Sequence, residues 1–379
     1  MKFQSLLEKK FRQGQGYKLT EWSRLDNSKK ESVASLPDES EVYGVFEPII
    51  STQKSSYRVA YQQVALLYFH LQQSNKLPHY LMLPQDPKVN ETIAALLLDG
   101  IIEIEWEGRF VSGPGALPVL YNDEMTGDAQ LPTYLSQLSY KAIYYAWMLK
   151  DVNEKCTTAR LYTFNTTPWD ASLKMAFQKK NTVKEFLLSR IDHNALKTLN
   201  ARWQPTEKTE WLSWNRKVTE PLTDGQSNVY KLYISPLIND LPEVLLECIP
   251  VIDSSDAISF KIGNTLQGLL RPDKMVVYFY SRDSLFTTAG ILIQFLKGFA
   301  PQGVPFSAQL DDNGLLSWGK DPPGDGSWRT AVSEKLAAIL QHGKENQLNW
   351  PLTISYIDAT MQSKGLDIRN WEPTYQFNG

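Results

Sequence analysis

Six side chains in the second half of the chain have the types and spacing to hold a phosphate group. Lys231 and Tyr233 lie two apart in the string YKLYISP (230–236), and Lys261 sits inside ISFKIGN (258–264). Arg271 and Lys274 belong to GLLRPDKMVVYFYS (268–281), and Arg329 to GKDPPGDGSWRTA (319–331). Successive side chains of a strand point to opposite faces, so Lys231 and Tyr233 share one face while Leu232 and Ile234 turn toward a core. Lys261, between Phe260 and Ile262, points away from the face those two bury. If the three strings pair in one sheet, Lys231, Tyr233, Lys261, Arg271 and Lys274 converge on one cleft. A guanidinium offers phosphate oxygens a planar fork of donors, and an ammonium offers a point charge. Ser327 suits a helix cap, which would set Arg329 beside free N–H groups at a positive helix end. Plainer readings stand beside these: lysines on the exposed face of a strand are ordinary, and a Gly/Pro string can be a passive connector.

The elements that must position these residues follow from pattern. Strands are expected at 229–235, 258–262, 275–280, 306–310 and 352–357. Helices are expected after Asp240, with Pro242 in the first turn, at 284–299 with Phe295 buried, and at 329–341. Arg271 precedes a proline, which holds it extended. Strands and helices mix without strict βαβ alternation, so the class is α+β, a mixed sheet with flanking helices over residues 126–379 and the site within 229–330. Between these, 131–150 reads as a helix, 161–167 as strand-like, 182–189 as a helix, 203–220 as loop or edge structure, and 221–227 as a turn cluster. Residues 1–125 read as a polar start and then a mainly helical region: a helix at 57–73, a second at 91–98 capped by Asn90 and closed by Gly100, and a winged hairpin at 101–112. Glu103, Glu105 and Glu107 on that wing would repel a nucleic-acid backbone, leaving peptide or partner docking, or plain packing.

Bulk properties bound the partners. The chain has 379 residues, 12% aromatic content and 11 Trp, enough for more than one core. A formal net charge of -3 gives no global pull toward nucleic acid or anionic lipid, so any anion site must be local. Met1 to Phe11 lacks the apolar run of a secretory signal, and no run is long enough for a membrane helix, so the expected setting is the cytoplasm. Cys156 and Cys248, far apart and without a partner cluster, read as two buried reduced cysteines, with a lone disulfide as the alternative. His70, His79, His193 and His342 form no HExxH, and no CxxC or Gly-rich phosphate loop is present, so neither metal nor organic cofactor is expected.

The strings KLYISP, SFKIGN, GLLRPDKMVVYF and DPPGDGSWR resemble the HopA-type family of type III secreted effectors and its relatives in lanthipeptide and thioamitide biosynthesis. That family is similar in turn to the injected phosphothreonine lyases, and the resemblance covers roughly residues 203–341. It implies a cofactor-free elimination that turns phosphoserine or phosphothreonine of a ribosomal precursor peptide into dehydroalanine or dehydrobutyrine, after a separate peptide kinase has phosphorylated it. By the same resemblance Lys261 is the general base, Lys231 polarises the substrate, and Arg271 and Arg329 bind phosphate, with Lys274 as an extra ligand. Acting as a base near neutral pH requires Lys261 to lose much of its usual basicity through burial and neighbouring cations. Tyr233 stands where the phosphothreonine lyases carry a histidine acid; nearby cations would make its phenolate accessible, so that it donates a proton, or it only hydrogen-bonds the phosphate. A silent phosphopeptide-binding scaffold and a secreted effector of the same fold remain as alternatives.

Overall fold

The structure is a computed structural model that describes residues 6, 8–31, 33, 41–49, 57–78, 87–121, 131–150, 153–168, 171–177, 182–191, 199–208, 210–217, 229–323 and 326–373. Helices and antiparallel sheets together make the fold α+β. The chain divides into two units, residues 1–129 with 143–160 and residues 130–142 with 161–379. No helix among the described residues is long and apolar enough to cross a membrane.

The first unit holds two three-stranded sheets. One contains β1 (Phe11–Gln13), β5 (Ile102–Trp106) and β6 (Arg109–Val111); the other contains β2 (Tyr17–Glu21), β3 (Val42–Pro48) and β4 (Arg58–Tyr61). The hairpin expected at 101–112 is β5–β6, turned by Glu107 and Gly108 at positive φ. Its acidic row is partly neutralised, since Arg12 pairs with Glu103 at 2.7 Å. The helix read over 57–73 starts only at Gln62, because residues 58–61 pair with β3. The next helix runs Pro87–Asp99, so Asn90 lies inside it and is no cap, while Gly100 follows at φ 79.

The second unit is built on one seven-stranded sheet, every pairing antiparallel. Its order is β12 (Ala308–Gln309), β13 (Leu316–Lys320), β9 (Tyr230–Ile234), β11 (Met275–Phe279), β10 (Ser259–Gly263), β8 (Trp211–Arg216) and β7 (Trp203–Glu207). Period-2 patterning gives this sheet two unlike faces. Leu232, Ile234, Phe260, Ile262, Val277 and Trp214 belong to the main core, with helices Leu241–Ser254 and Arg282–Phe295. Burying one such side chain is worth roughly 1.5–3 kcal/mol, so this face fixes the register and thereby what the opposite face presents.

Several expectations change. Residues 352–357 are no strand but part of helix Trp350–Ser363; the Asn349 side chain accepts from Leu352 N, Pro351 sits in the first turn, and Thr353, Ile357 and Met361 bury one stripe. The strand-like text at 161–167 is no strand: it holds the last two residues of helix Glu154–Tyr162 and the turn that follows. Phe295 is exposed, because its helix ends there and turns that ring outward. The 203–220 run supplies the edge hairpin β7–β8. Residues 221–227, His79 and His193 lie outside the described residues.

Gly319 of β13 faces Trp328, the first residue of helix Trp328–Glu345; a Cβ there would meet the indole Cδ1 at 2.4 Å. Trp328 is fully buried and donates its indole N–H to the Phe306 carbonyl, so it has no room to yield. Gly319→Ala is therefore expected to lower stability by roughly 1–3 kcal/mol in a urea titration, through overpacking.

Candidate active site

The sheet face opposite the core carries the site. Two cross-strand rows follow from register. In one, Ser213, Lys261, Val276, Tyr233 and Ser317 lie side by side on β8, β10, β11, β9 and β13; in the next lie Asn215, Ser259, Tyr278, Lys231 and Gly319. Strands stand about 4.8 Å apart, which puts the Lys261 and Tyr233 backbones roughly 10 Å from each other with Val276 as the floor between. The two lysines flank one ring: each ammonium lies 5.5 Å from the Tyr278 centroid.

Lys261 is half-buried and makes no ion pair or hydrogen bond among the described residues; its ammonium rests 4.2 Å from the Trp211 ring centre. Burial, and next the repulsion of Lys231, bring its pKa down to about 8. Lys231 is the opposite case, held by Asp321 at 2.7 Å. Asp321 also accepts from Trp328 N at 2.8 Å, and Ser327 caps Thr330 N, so these two N–H groups of the helix terminus are already engaged inside the protein. The anion contact expected from that helix end comes down to Arg329 itself.

Asp273 draws the two arginines together. Arg271, extended before Pro272, donates to both oxygens of Asp273 at 2.9 Å and to the Tyr162 hydroxyl at 2.7 Å. Arg329, only 1% exposed, gives one N–H to the Tyr162 carbonyl at 2.6 Å and brings another nitrogen within 3.0 Å of Asp273. That second contact is an ion pair off the line of a hydrogen bond, and Arg329 Nε has no hydrogen-bond partner among the described residues. Burial alone would raise the Asp273 pKa, but Arg329 and Arg271 override it and hold the carboxyl far below the usual range. A buried guanidinium edge without acceptors is costly unless something anionic meets it.

Tyr233 is almost fully buried, and its hydroxyl bonds to nothing among the described residues. Burial, and then Asp321, push its phenol well above the ordinary range. The expected cation-assisted phenolate is therefore not formed: the low-dielectric wall and the facing carboxylate outweigh Arg329, and Tyr233 is a neutral O–H donor. Tyr278 is raised too, by burial and then Asp321.

Lys274 departs from its expected role as an extra phosphate ligand. It is fully buried and donates to the Pro236 carbonyl at 2.8 Å and to the Gln302 side-chain oxygen, which turns it away from the cleft. Burial lowers its pKa to about 7. It anchors the turn that presents Arg271 and Asp273.

Of the six residues singled out from sequence, five thus share one site: Lys231, Tyr233, Lys261, Arg271 and Arg329. Tyr162, Trp211, Asp273, Tyr278 and Asp321 were missed. Period-2 alternation in MVVYF and WLSWNR carried a signal for Tyr278 and Trp211, whereas nothing local marks Tyr162, 109 residues from Arg271. Among the described residues no three His, Cys, Asp or Glu side chains gather as a metal site.

No protein family matches the chain, and no curated protein matches it. Solved structures do. An effector protein from Pseudomonas syringae pv. tomato is similar over 63% of this chain and 99% of its own, at 11% identity and a TM-score of 0.42. The VirA (SpvC) phosphothreonine lyase effector of Chromobacterium violaceum is similar over 37% of this chain and 76% of its own, at 16% identity and a TM-score of 0.28. The type III effector and phosphothreonine lyase OspF of Shigella flexneri is similar over 45% of this chain and 96% of its own, at 13% identity and a TM-score of 0.28. At such scores nothing about activity follows from these likenesses, and the side chains must carry it.

Proposed function

We propose that this protein is a phosphopeptide lyase that eliminates phosphate from phosphoserine or phosphothreonine. The observation that carries the reading is Lys261, a lysine with no ion pair among the described residues and a pKa of about 8, which shares the Trp211 ring with the Arg271 guanidinium. Among the described residues Lys231, Arg271 and Arg329 pair with Asp273 and Asp321, three cations against two carboxylates, and protonated Lys261 adds a fourth, an excess suited to a phosphate dianion.

In the reaction Arg329 and Arg271 hold the phosphate, and Lys231, steadied by Asp321, draws charge from the carbonyl beside the reacting carbon. Neutral Lys261 takes the Cα proton. The C–H electron pair becomes the new Cα=Cβ bond as the Cβ–O bond breaks and its pair leaves with phosphate. That phosphate is strongly basic and takes the Tyr233 proton; Lys261 and Tyr233 then regain their starting states by proton exchange with solvent. The net products are the dehydroamino acid and hydrogen phosphate. The substrate we favour is a ribosomal precursor peptide phosphorylated by a separate kinase.

A second reading, a silent phosphopeptide-binding scaffold, is favoured by the raised phenol of Tyr233, a weaker acid than a histidine. The two separate on one experiment: a phosphopeptide incubated with the protein and EDTA should lose phosphoric acid and then capture an added thiol, whereas a scaffold returns it unchanged. Only neutral Lys261 accepts a proton, so kcat/KM should rise with pH and level above about 8. A lower limb at about pH 6 is expected from the second ionisation of the phosphate itself. A profile flat from pH 7 to 9 would remove Lys261 as the base.

A further inference from the structure

Asp273 is a peculiar neighbour for a phosphate site. A carboxylate repels the ligand, yet this one is buried, firmly ionised and bound to both arginines that the reading above assigns to phosphate. It occupies the Nε and one terminal nitrogen of Arg271, the edge that would otherwise grip phosphate in a bidentate fork. The Tyr162 hydroxyl closes the cluster, 2.7 Å from Arg271 and 3.3 Å from Asp273.

We infer that Asp273 is a built-in counter-anion that weakens the grip of this site on free phosphate, and so lets the product leave. The inference rests on the lyase reading for its meaning but makes its own prediction about anion affinity. Before elimination the phosphate is tethered to a peptide whose other groups contribute binding; afterwards inorganic phosphate has only the cations. With Lys231, Lys261, Arg271 and Arg329 uncompensated the site would retain it, and each turnover would end in an inhibited complex. Asp273 shares the charge of two guanidiniums and holds them in place, so orientation is kept while net attraction falls. Asp273 is thus a positioning residue, acting on the ligand through the arginines. Its field also reaches Lys261, where it favours the ammonium.

The test compares wild type with Asp273→Asn, using inorganic phosphate as the probe. In wild type the phosphate inhibition constant should exceed the KM for phosphopeptide by more than tenfold; a value below KM overturns the inference. In Asp273→Asn phosphate should bind about tenfold tighter or more, since a unit charge near the ligand is removed from a poorly hydrated site. The rising limb of kcat/KM should move to lower pH, because the group favouring protonated Lys261 is gone. Asparagine leaves two arginines uncompensated, so the variant should melt lower without phosphate and gain more from added phosphate than wild type does. A purely structural carboxylate gives the reverse, weaker phosphate binding and no excess stabilisation, and that result refutes the inference. An elimination that proceeds normally while phosphate affinity stays unchanged refutes it without touching the lyase reading. Absence of elimination in wild type refutes the lyase reading and leaves the affinity comparison to decide the role of Asp273.

Discussion

Lys261→Ala is expected to reduce elimination by roughly 10²–10⁴-fold, the range for loss of a positioned general base, while phosphopeptide binding stays measurable. Lys261 has no ion pair or hydrogen bond to lose among the described residues; its contacts are the ring faces of Trp211 and Tyr278. The substitution therefore leaves no charged partner stranded, and a drop in turnover cannot be ascribed to a collapsed network. Lys261→Arg should be as inactive, because a guanidinium stays protonated throughout the working range. Stability offers a control. The folded pKa of about 8 lies below the ordinary 10.5, so between those values the unfolded chain binds more protons and stability rises with pH. In Lys261→Met that rise should shrink to the part that buried Lys274 contributes, and below pH 8 the variant should be the more stable protein. Kinetics like those of wild type in Lys261→Ala would exclude Lys261 from the chemistry.

The second large effect is expected at Arg329. Arg329→Met should lower phosphopeptide affinity by roughly 10–100-fold, as charge-assisted hydrogen bonds worth about 1.5–3 kcal/mol are lost. It should also destabilise the fold: breaking a buried pair costs about 3–5 kcal/mol, less here because Arg271 still holds Asp273 on both oxygens. Arg329→Lys keeps the charge but not the planar fork, and should restore only part of the affinity in fluorescence anisotropy. Unchanged binding in Arg329→Met would place the phosphate elsewhere. The direction is opposite to that expected for Asp273→Asn, although both substitutions loosen the same ion cluster, so general loosening cannot produce both results.

How far sequence reaches is plain from these residues. Alternation alone placed Lys231, Tyr233 and Lys261 on one face, because a face rich in Leu, Ile and Phe leaves a strand no other register. The same alternation held for Tyr278 and Trp211, but rings in an apolar string read as core until neighbouring strands show which face they line. Asp273 carries no signal of its own in the string RPDK. Its role as the bridge between Arg271 and Arg329 depends on residues 58 apart in number, which only the folded sheet brings together. Lys274 failed as a ligand for the converse reason: its charge is visible in sequence, but the Pro236 carbonyl and Gln302 that bind it are not local. The Tyr233 phenol went the wrong way because sequence shows its cations but not its burial or Asp321. At 352–357 a short apolar string fits strand and helix equally, and the Asn349 cap decides for the helix.

The central claim is that Lys261 and its surroundings break a carbon–oxygen bond by elimination. The most direct measurement is mass spectrometry of a defined phosphothreonine peptide after incubation with the protein in water enriched in oxygen-18. Elimination predicts a dehydrobutyrine peptide and phosphate free of the heavy isotope, formed by wild type and lost in Lys261→Ala. Threonine peptide accompanied by labelled phosphate, or peptide recovered intact with its phosphate, would contradict it.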